Sequence, residues 1–344
     1  MGFKKGHSTP RRQSGYGAAL LVKCVIVFLA VVILPLLIHY QYQGGEELAS
    51  LVGDTGHSQA QGGGDHAYHE SPIKRTEARV NEQLISTIFK GLDPFSGLSN
   101  DAKPDWTYPH TNFVPDFFEY IWTKFVKPNH GELTFFLEVG SFKAGSVTML
   151  AELLKSKYAN WPNTSIVCVD TFSGDVNMWA WNNNQGGHDY LATGPDGRPR
   201  IYDTFMANVF DRGHQDMIVP IMTSGLVGMK LLIRLKEENR IQEAPSIIYL
   251  DSAHEKDETY IELTTAWKLI RECGAIFGDD WSWAAVADDV SRFVQDVELR
   301  ELPLYPMDDL TFTQPIPGLI LGPKGQWFFT KNNGNCIHVE DGEW

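Results

Sequence analysis

Five short apolar runs recur between Leu133 and Gly278, at Leu133–Val139, Ser165–Val169, Met217–Ile221, Ser246–Leu250 and Ala275–Gly278. Runs that are apolar at nearly every position belong to strands buried on both faces. Stretches with helical spacing separate them or follow the last, over Ser146–Lys157, Gly228–Asn239, Glu258–Glu272 and Trp283–Val297. Strand and helix in alternation predict an α/β fold, a doubly wound and mostly parallel sheet with helices on both faces. Two further runs, near Gly318–Leu321 and Gln326–Thr330, flank a turn with Pro323 and Gly325 and predict an antiparallel C-terminal hairpin at the sheet edge, seven strands in all. Upstream, Val80, Leu84, Ile85, Ile88 and Phe89 share one face of a helix over Thr76–Phe89, and Pro115 introduces a short helix over Asp116–Phe125.

The N-terminal part has a different character. Gly17–Ile38 carries a single charge, Lys23, and has about the length needed to cross a bilayer. No small-x-small cleavage site follows it, and Tyr40 and Tyr42 suit a membrane interface. A basic leader over 1–16, with Lys4, Lys5, Arg11, Arg12 and no acid, stays cytosolic by the positive-inside rule. The expected order is therefore leader, transmembrane signal anchor over 17–38, flexible Gly- and Gln-rich stem over 39–75, and a lumenal domain over 76–344. That is a single-pass type II arrangement in the Golgi or endoplasmic reticulum. The sequon Asn163-Thr164-Ser165 is compatible with that side of the membrane.

The formal charge of −14, from 43 acids against 29 bases, argues against a nucleic-acid partner, whose phosphates call for a basic surface. The cysteines at 24, 168, 273 and 336 form no CxxC pair and suggest no zinc ribbon. Cys168 and Cys273 fall in segments read as core, which favours buried thiols. A Cys273–Cys336 disulfide stays open if the domain faces an oxidising lumen.

In a doubly wound sheet ligands bind beyond the carboxyl ends of the strands. The first strand runs into Glu138-Val-Gly140-Ser141-Phe-Lys143-Ala-Gly145-Ser146, a glycine turn that differs from the dinucleotide GxGxxG. The second ends in Asp170-Thr171-Phe, the fourth in Asp251-Ser-Ala-His254 and the fifth in Gly278-Asp279-Asp280. Glycines let a ligand approach the backbone, and a carboxylate after the second strand can accept both ribose hydroxyls of an adenosine ligand. A site with no phosphate to neutralise needs no lysine, which points to S-adenosylmethionine, although Lys143 in the loop tempers this. The expected cofactor contacts are Glu138, Gly140, Ser141, Gly145, Ser146, Asp170, Thr171 and Asp251.

Asp251, Asp279 and Asp280 would repel one another if placed together, and a hard divalent cation such as Mg²⁺ relieves that. Such an ion would acidify a substrate hydroxyl and turn it toward a methyl sulfonium, with Asp251 or His254 taking the proton. The competing structural reading makes Asp280 a helix cap and leaves His254 hydrogen-bonded in a loop.

These residues resemble class I S-adenosylmethionine-dependent methyltransferases, and within them the macrocin O-methyltransferase type, over roughly Leu133–Phe329. Glu138-Val-Gly140 is similar to the family's first motif and Asp170-Thr-Phe to its ribose-binding acid. Asp251-x-x-His254, Trp267, Gly274 and Asp279-Asp280 resemble its D-x-x-H … W … GG … DD run. The resemblance implies a Rossmann-like methyltransferase fold, Mg²⁺ on Asp251, Asp279 and Asp280, and methylation of a glycan or small-molecule hydroxyl. Glu272-Cys273-Gly274 departs from the usual Pro-Gly-Gly, and the segment Val176–Arg200 has no counterpart in the family. A metal-dependent Golgi glycosyltransferase is the alternative; it shares the anchor and the acids, but its DxD spacing is missing here. An iron hydroxylase would want a second histidine beside His254.

Overall fold

The computed structural model describes residues 78–98, 102–107, 111–181, 190–252, 254–305 and 310–339. The expected leader, anchor and stem lie outside them. Among the described residues no helix is long and apolar enough to cross a membrane.

The chain enters through α1 (Val80–Ile88), then α2 (Pro115–Ile121), which runs through a π-type turn at Trp122–Val126 into α3 (Lys127–His130). The alternating part follows as β1 (Phe135–Val139), α4 (Gly145–Lys157), β2 (Ser165–Asp170), α5 (Val176–Trp181), α6 (Ile201–Asp211), β3 (Ile218–Met222), α7 (Gly225–Glu237), β4 (Ile247–Leu250), α8 (Glu258–Leu269), β5 (Ala275–Gly278) and α9 (Ala284–Asp296). Three strands close it: β6 (Thr313–Ile316), β7 (Leu319–Leu321) and β8 (Trp327–Thr330).

All eight strands form one sheet in the order β3-β2-β1-β4-β5-β8-β7-β6. The first five are parallel, while β8 runs antiparallel to β5 and β7 antiparallel to β8. The sheet thus has eight strands where the apolar runs predict seven. The extra one, β6, reads Thr-Gln-Pro-Ile with alternating exposure on an outer edge, so it has no continuous apolar run to reveal it. Two helices, α5 and α6, also stand where no helix was expected between β2 and β3.

Alternate residues along each strand face opposite layers. Phe136, Cys168, Tyr249, Phe277 and Phe328 pack with α2, α4 and α6, whereas Leu137, Val167, Ile248, Ile276 and Phe329 pack with α1, α7, α8 and α9. The first layer is rich in rings. Phe118, with no exposed surface, sits 5.9 Å from Phe136 and 6.1 Å from Phe113, and Tyr249 stacks on Phe277 at 4.5 Å. Large rigid side chains in this layer fix the height at which the strand ends emerge, because aromatic area dominates core energetics.

Cys273 and Cys336 form a disulfide with Cα atoms 5.4 Å apart, so Cys273 is not the core thiol its flanking apolar run suggested. Cys168 is the buried free thiol. The bond ties the tail to the turn before β5. The tail continues onto α3 and the π-type turn, where Asn129 and Ile337 exchange hydrogen bonds and the Val339 N–H donates to the Lys124 carbonyl. Closing a loop of 63 residues restricts the unfolded chain by about 4 kcal/mol in a chain-entropy estimate. Urea unfolding of the wild type and of Cys336→Ser under oxidising conditions is expected to show the variant weaker by up to about that amount. Equal stability, or no response of the wild type to reductant, would show the bond to be irrelevant.

Candidate active site

The strand order places β1 beside β4 in the middle of the sheet, with β2 and β5 on their outer sides. The connections therefore leave β1 and β4 in opposite directions and open a crevice above their carboxyl ends. Gly140 closes β1 there with φ +89°, and a Cβ on it would stand 2.0 Å from the Asp251 carbonyl oxygen. The glycine is thus required first by the approach of the two strand ends, and not only by a ligand.

Beyond Gly140 the loop folds over Glu138, which has no exposed surface. The Ser141 hydroxyl lies 3.2 Å from one oxygen of Glu138, and the Ser146 hydroxyl bonds the other. Burial pushes the Glu138 pKa up to about 8 against the pull of these hydroxyls. Glu138, Ser141 and Ser146 therefore face one another beneath the loop, while Gly145 opens α4. Lys143 is also buried. Its ammonium pairs with Asp105 at 2.8 Å, and Asn208 bonds the backbone of both residues, so this cation is committed inside the fold.

Asp170 ends β2. Its two oxygens accept the N–H groups of Phe142 at 2.8 Å and Phe172 at 2.5 Å, and burial still raises its pKa. Each oxygen keeps acceptor capacity, so diol hydroxyls can still donate to it. Thr171 beside it is exposed, its hydroxyl accepting the Ser173 N–H at 3.2 Å.

The ends of β4 and β5 meet in a cleft whose walls include Asp251, His254, Glu262, Asp279, Asp280 and Trp327. Ligand atoms of Asp251, His254 and Asp280 come within 4.8 Å of one another. Asp279 is turned inward and only 3% exposed, with its Oδ1 buried and without a hydrogen-bond partner. Its carbonyl accepts the Trp327 indole N–H at 2.8 Å. Burial, reinforced by the charges of Asp279 and Asp280, raises the pKa of Asp251, and burial reinforced by the charge of Asp280 raises that of Asp279. An orphaned carboxylate oxygen beside mutually repelling acids is a donor set that a divalent cation fits.

Asp280 does not cap the helix that follows. The residue before α9 is Trp283, and the Asp280 carboxylate bonds Nε2 of His254 at 2.6 Å from a left-handed backbone with φ +57°. Nδ1 of the same ring bonds Asp175 at 2.9 Å. Burial works against a charged ring, but these two carboxylates outweigh it and push the His254 pKa up to about 10. As the site stands, His254 holds its proton.

Two residues of the site carry no signal in the motifs. Glu262 lines the cleft and accepts the Ser252 hydroxyl at 2.6 Å, and burial pushes its pKa up to about 7. It stands on the inward side of α8 with Thr259, Leu263 and Ala266, so an acid on an otherwise buried helix face was the available clue. Asp175 lies in the segment between β2 and β3, where no pattern marks it.

No protein-family model and no curated protein matches the chain. Among solved structures it is similar to the O-methyltransferase TomG of Streptomyces achromogenes, described as involved in tomaymycin synthesis and in complex with SAM. The identity is 16% and the TM-score 0.34, over 57% of this chain and 73% of that one. The calicheamicin methyltransferase CalS11 gives 15% and 0.38 over 79% and 99%. An O-methyltransferase from Bacillus cereus in complex with SAH gives 13% and 0.39 over 73% and 97%. All three are described as methyltransferases.

The Glu138 carboxyl supplies a test of the loop. With a folded pKa near 8 against an ordinary 4.5, the folded chain keeps a proton that the unfolded chain releases between those values. Its contribution is fully favourable at the acid end and is lost as pH rises toward 8. Glu138→Gln should therefore gain thermal stability relative to the wild type as pH rises from 5 to 8, measured by scanning calorimetry. A constant difference across that range would contradict the buried, protonated carboxyl.

Proposed function

We propose that this chain is an S-adenosylmethionine-dependent O-methyltransferase that uses a divalent cation, Mg²⁺, to methylate a hydroxyl of a glycan or small molecule. The observation that carries the reading is the convergence, at the topological switch point, of the Gly140 loop, Asp170 and the Asp251–His254–Asp280 group. The withdrawal of Lys143 onto Asp105 supports a ligand without phosphates. The spare acceptor capacity of Asp170 suits the ribose hydroxyls, and the loop backbone from Gly140 to Gly145 suits the rest of the cofactor.

Asp251 and Asp280 would hold the cation, with Asp279 behind them contributing its unpaired oxygen. When bound, the ion supplies a lowered pKa and a fixed orientation for the acceptor hydroxyl. Asp251 is positioned to accept the proton released as the new O–CH₃ bond forms and the sulfonium C–S bond breaks, and His254 would be able to do so once a bound ion had drawn Asp280 off Nε2 and the ring had given up its own proton. Titration calorimetry of the full chain in detergent with S-adenosylhomocysteine and Mg²⁺ tests the reading. Binding should be lost or weakened at least about 10-fold, a loss of roughly 1.4 kcal/mol, in Asp170→Ala. Asp280→Asn should lose Mg²⁺ binding while keeping the nucleoside. Failure of the wild type to bind S-adenosylhomocysteine with Mg²⁺ present would overturn the assignment.

We further propose that the domain faces a secretory lumen behind a signal anchor at 17–38. The Cys273–Cys336 bond favours an oxidising compartment, and Asn163 lies exposed in a turn ahead of β2. Endoglycosidase treatment of the cell-expressed protein should shift its mobility, with no shift in Asn163→Gln. A protein wholly accessible to protease added outside intact microsomes would refute this topology.

A further inference from the structure

Asp175 is a residue to which the reading above assigns no role, yet its carboxylate makes two well-defined hydrogen bonds. Oδ1 accepts the Met178 N–H at 2.7 Å and so holds the first turn of α5. Oδ2 bonds Nδ1 of His254 at 2.9 Å. With one oxygen fixed to the helix and the other to the ring, the carboxylate cannot turn without breaking a bond. The ring is held on a second side by Trp283, at 5.0 Å between centroids, and on a third by Asp280.

These three contacts differ in permanence. Asp280 belongs to the group of side chains that fits a cation, and a bound ion competes with Nε2 for its oxygen. Asp175 and Trp283 lie outside that group. A histidine that keeps one ring N–H on a carboxylate has its tautomer and its orientation set by that bond. The nitrogen left facing Asp251 and Asp280 is then Nε2, the atom able to accept a proton or meet an ion.

We propose that Asp175 is the positioning residue of the site: its carboxylate holds the Nδ1–H of His254, aims Nε2 at the Asp251–Asp280 cluster, and couples the ring to α5. The inference rests on the proposed function. It also gives the segment after β2 a mechanical link to the chemistry, because α5 starts at the same carboxylate and carries the exposed side chains of Val176 and Trp179.

The test uses the full chain labelled with ¹⁵N-histidine, saturated with Mg²⁺ and S-adenosylhomocysteine, and long-range ¹H–¹⁵N spectra of His254. With the ion drawing Asp280 off Nε2, the ring should lose the proton it holds there, and the wild type should show the Nδ1–H tautomer. Asp175→Asn keeps an oxygen for the Met178 N–H but presents an amide N–H to the ring, so it should convert His254 to the Nε2–H tautomer. Asp175→Glu should restore the wild-type pattern. Mg²⁺ affinity in Asp175→Asn should change little, because Asp251, Asp279 and Asp280 and not the ring hold the ion in the proposed site. S-adenosylhomocysteine affinity should stay unchanged. An Asp175→Asn spectrum identical to that of the wild type, or a wild-type ring protonated at Nε2, would overturn the role of Asp175 while leaving the cofactor assignment intact. A wild type that binds neither ligand would overturn both.

Discussion

Carboxyl groups crowd the ends of β1, β4 and β5, and the charge they would carry has to be balanced with little water to help. Glu138 is neutralised by keeping its proton among two serine hydroxyls. Asp280 is balanced by the His254 ring. Burial raises the pKa of both Asp251 and Asp279, and Asp279 keeps a buried oxygen with no partner. In a poorly solvated rim each of these is a cost that burial alone would select against. The divalent cation proposed for this rim would relieve that cost. The nearest lysine in the loop, Lys143, is turned away onto Asp105.

The backbone around this rim is built to hold the acids where they are. Asp170 accepts the N–H groups of Phe142 and Phe172, both of which have positive φ, so one carboxylate secures two left-handed residues from two different loops. Asp280 is left-handed as well. Such residues persist only where their surroundings over-determine them, and they gather here at strand ends, away from the regular core. Gly140 and Gly278 complete the frame. A side chain on either would collide with the backbone at the end of β4, which is what keeps the carboxyl ends of β1, β4 and β5 close enough to share one cleft.

Behind the rim the two helical layers work as a rigid mount. The layer under α2 and the layer under α7, α8 and α9 clamp the same five parallel strands from opposite sides. The disulfide and the tail fasten the antiparallel end to α3 and the π-type turn. A link from the site to the segment after β2 runs through Asp175 and His254 to α5.

The parallel strands and the acids at their ends were legible in the sequence, because a strand buried on both faces must be apolar throughout and the break in that pattern marks its carboxyl end. Asp170, Asp251, Asp279 and Asp280 were found that way. The edge strand β6 was not, since an exposed edge imposes no such pattern. Nor could sequence separate the roles of three neighbouring acids, which differ in direction: Asp280 turns toward His254 and Asp279 into the interior. Asp175 was invisible for the same reason, as its partner His254 is distant in the chain and a hydrogen bond leaves no periodicity, whereas Glu262 showed only as an acid on a buried helix face. Local patterning, which follows from burial, determined the sheet and the address of the site. Side-chain direction and the pairing of remote groups, which follow from packing, were decided only by the tertiary structure.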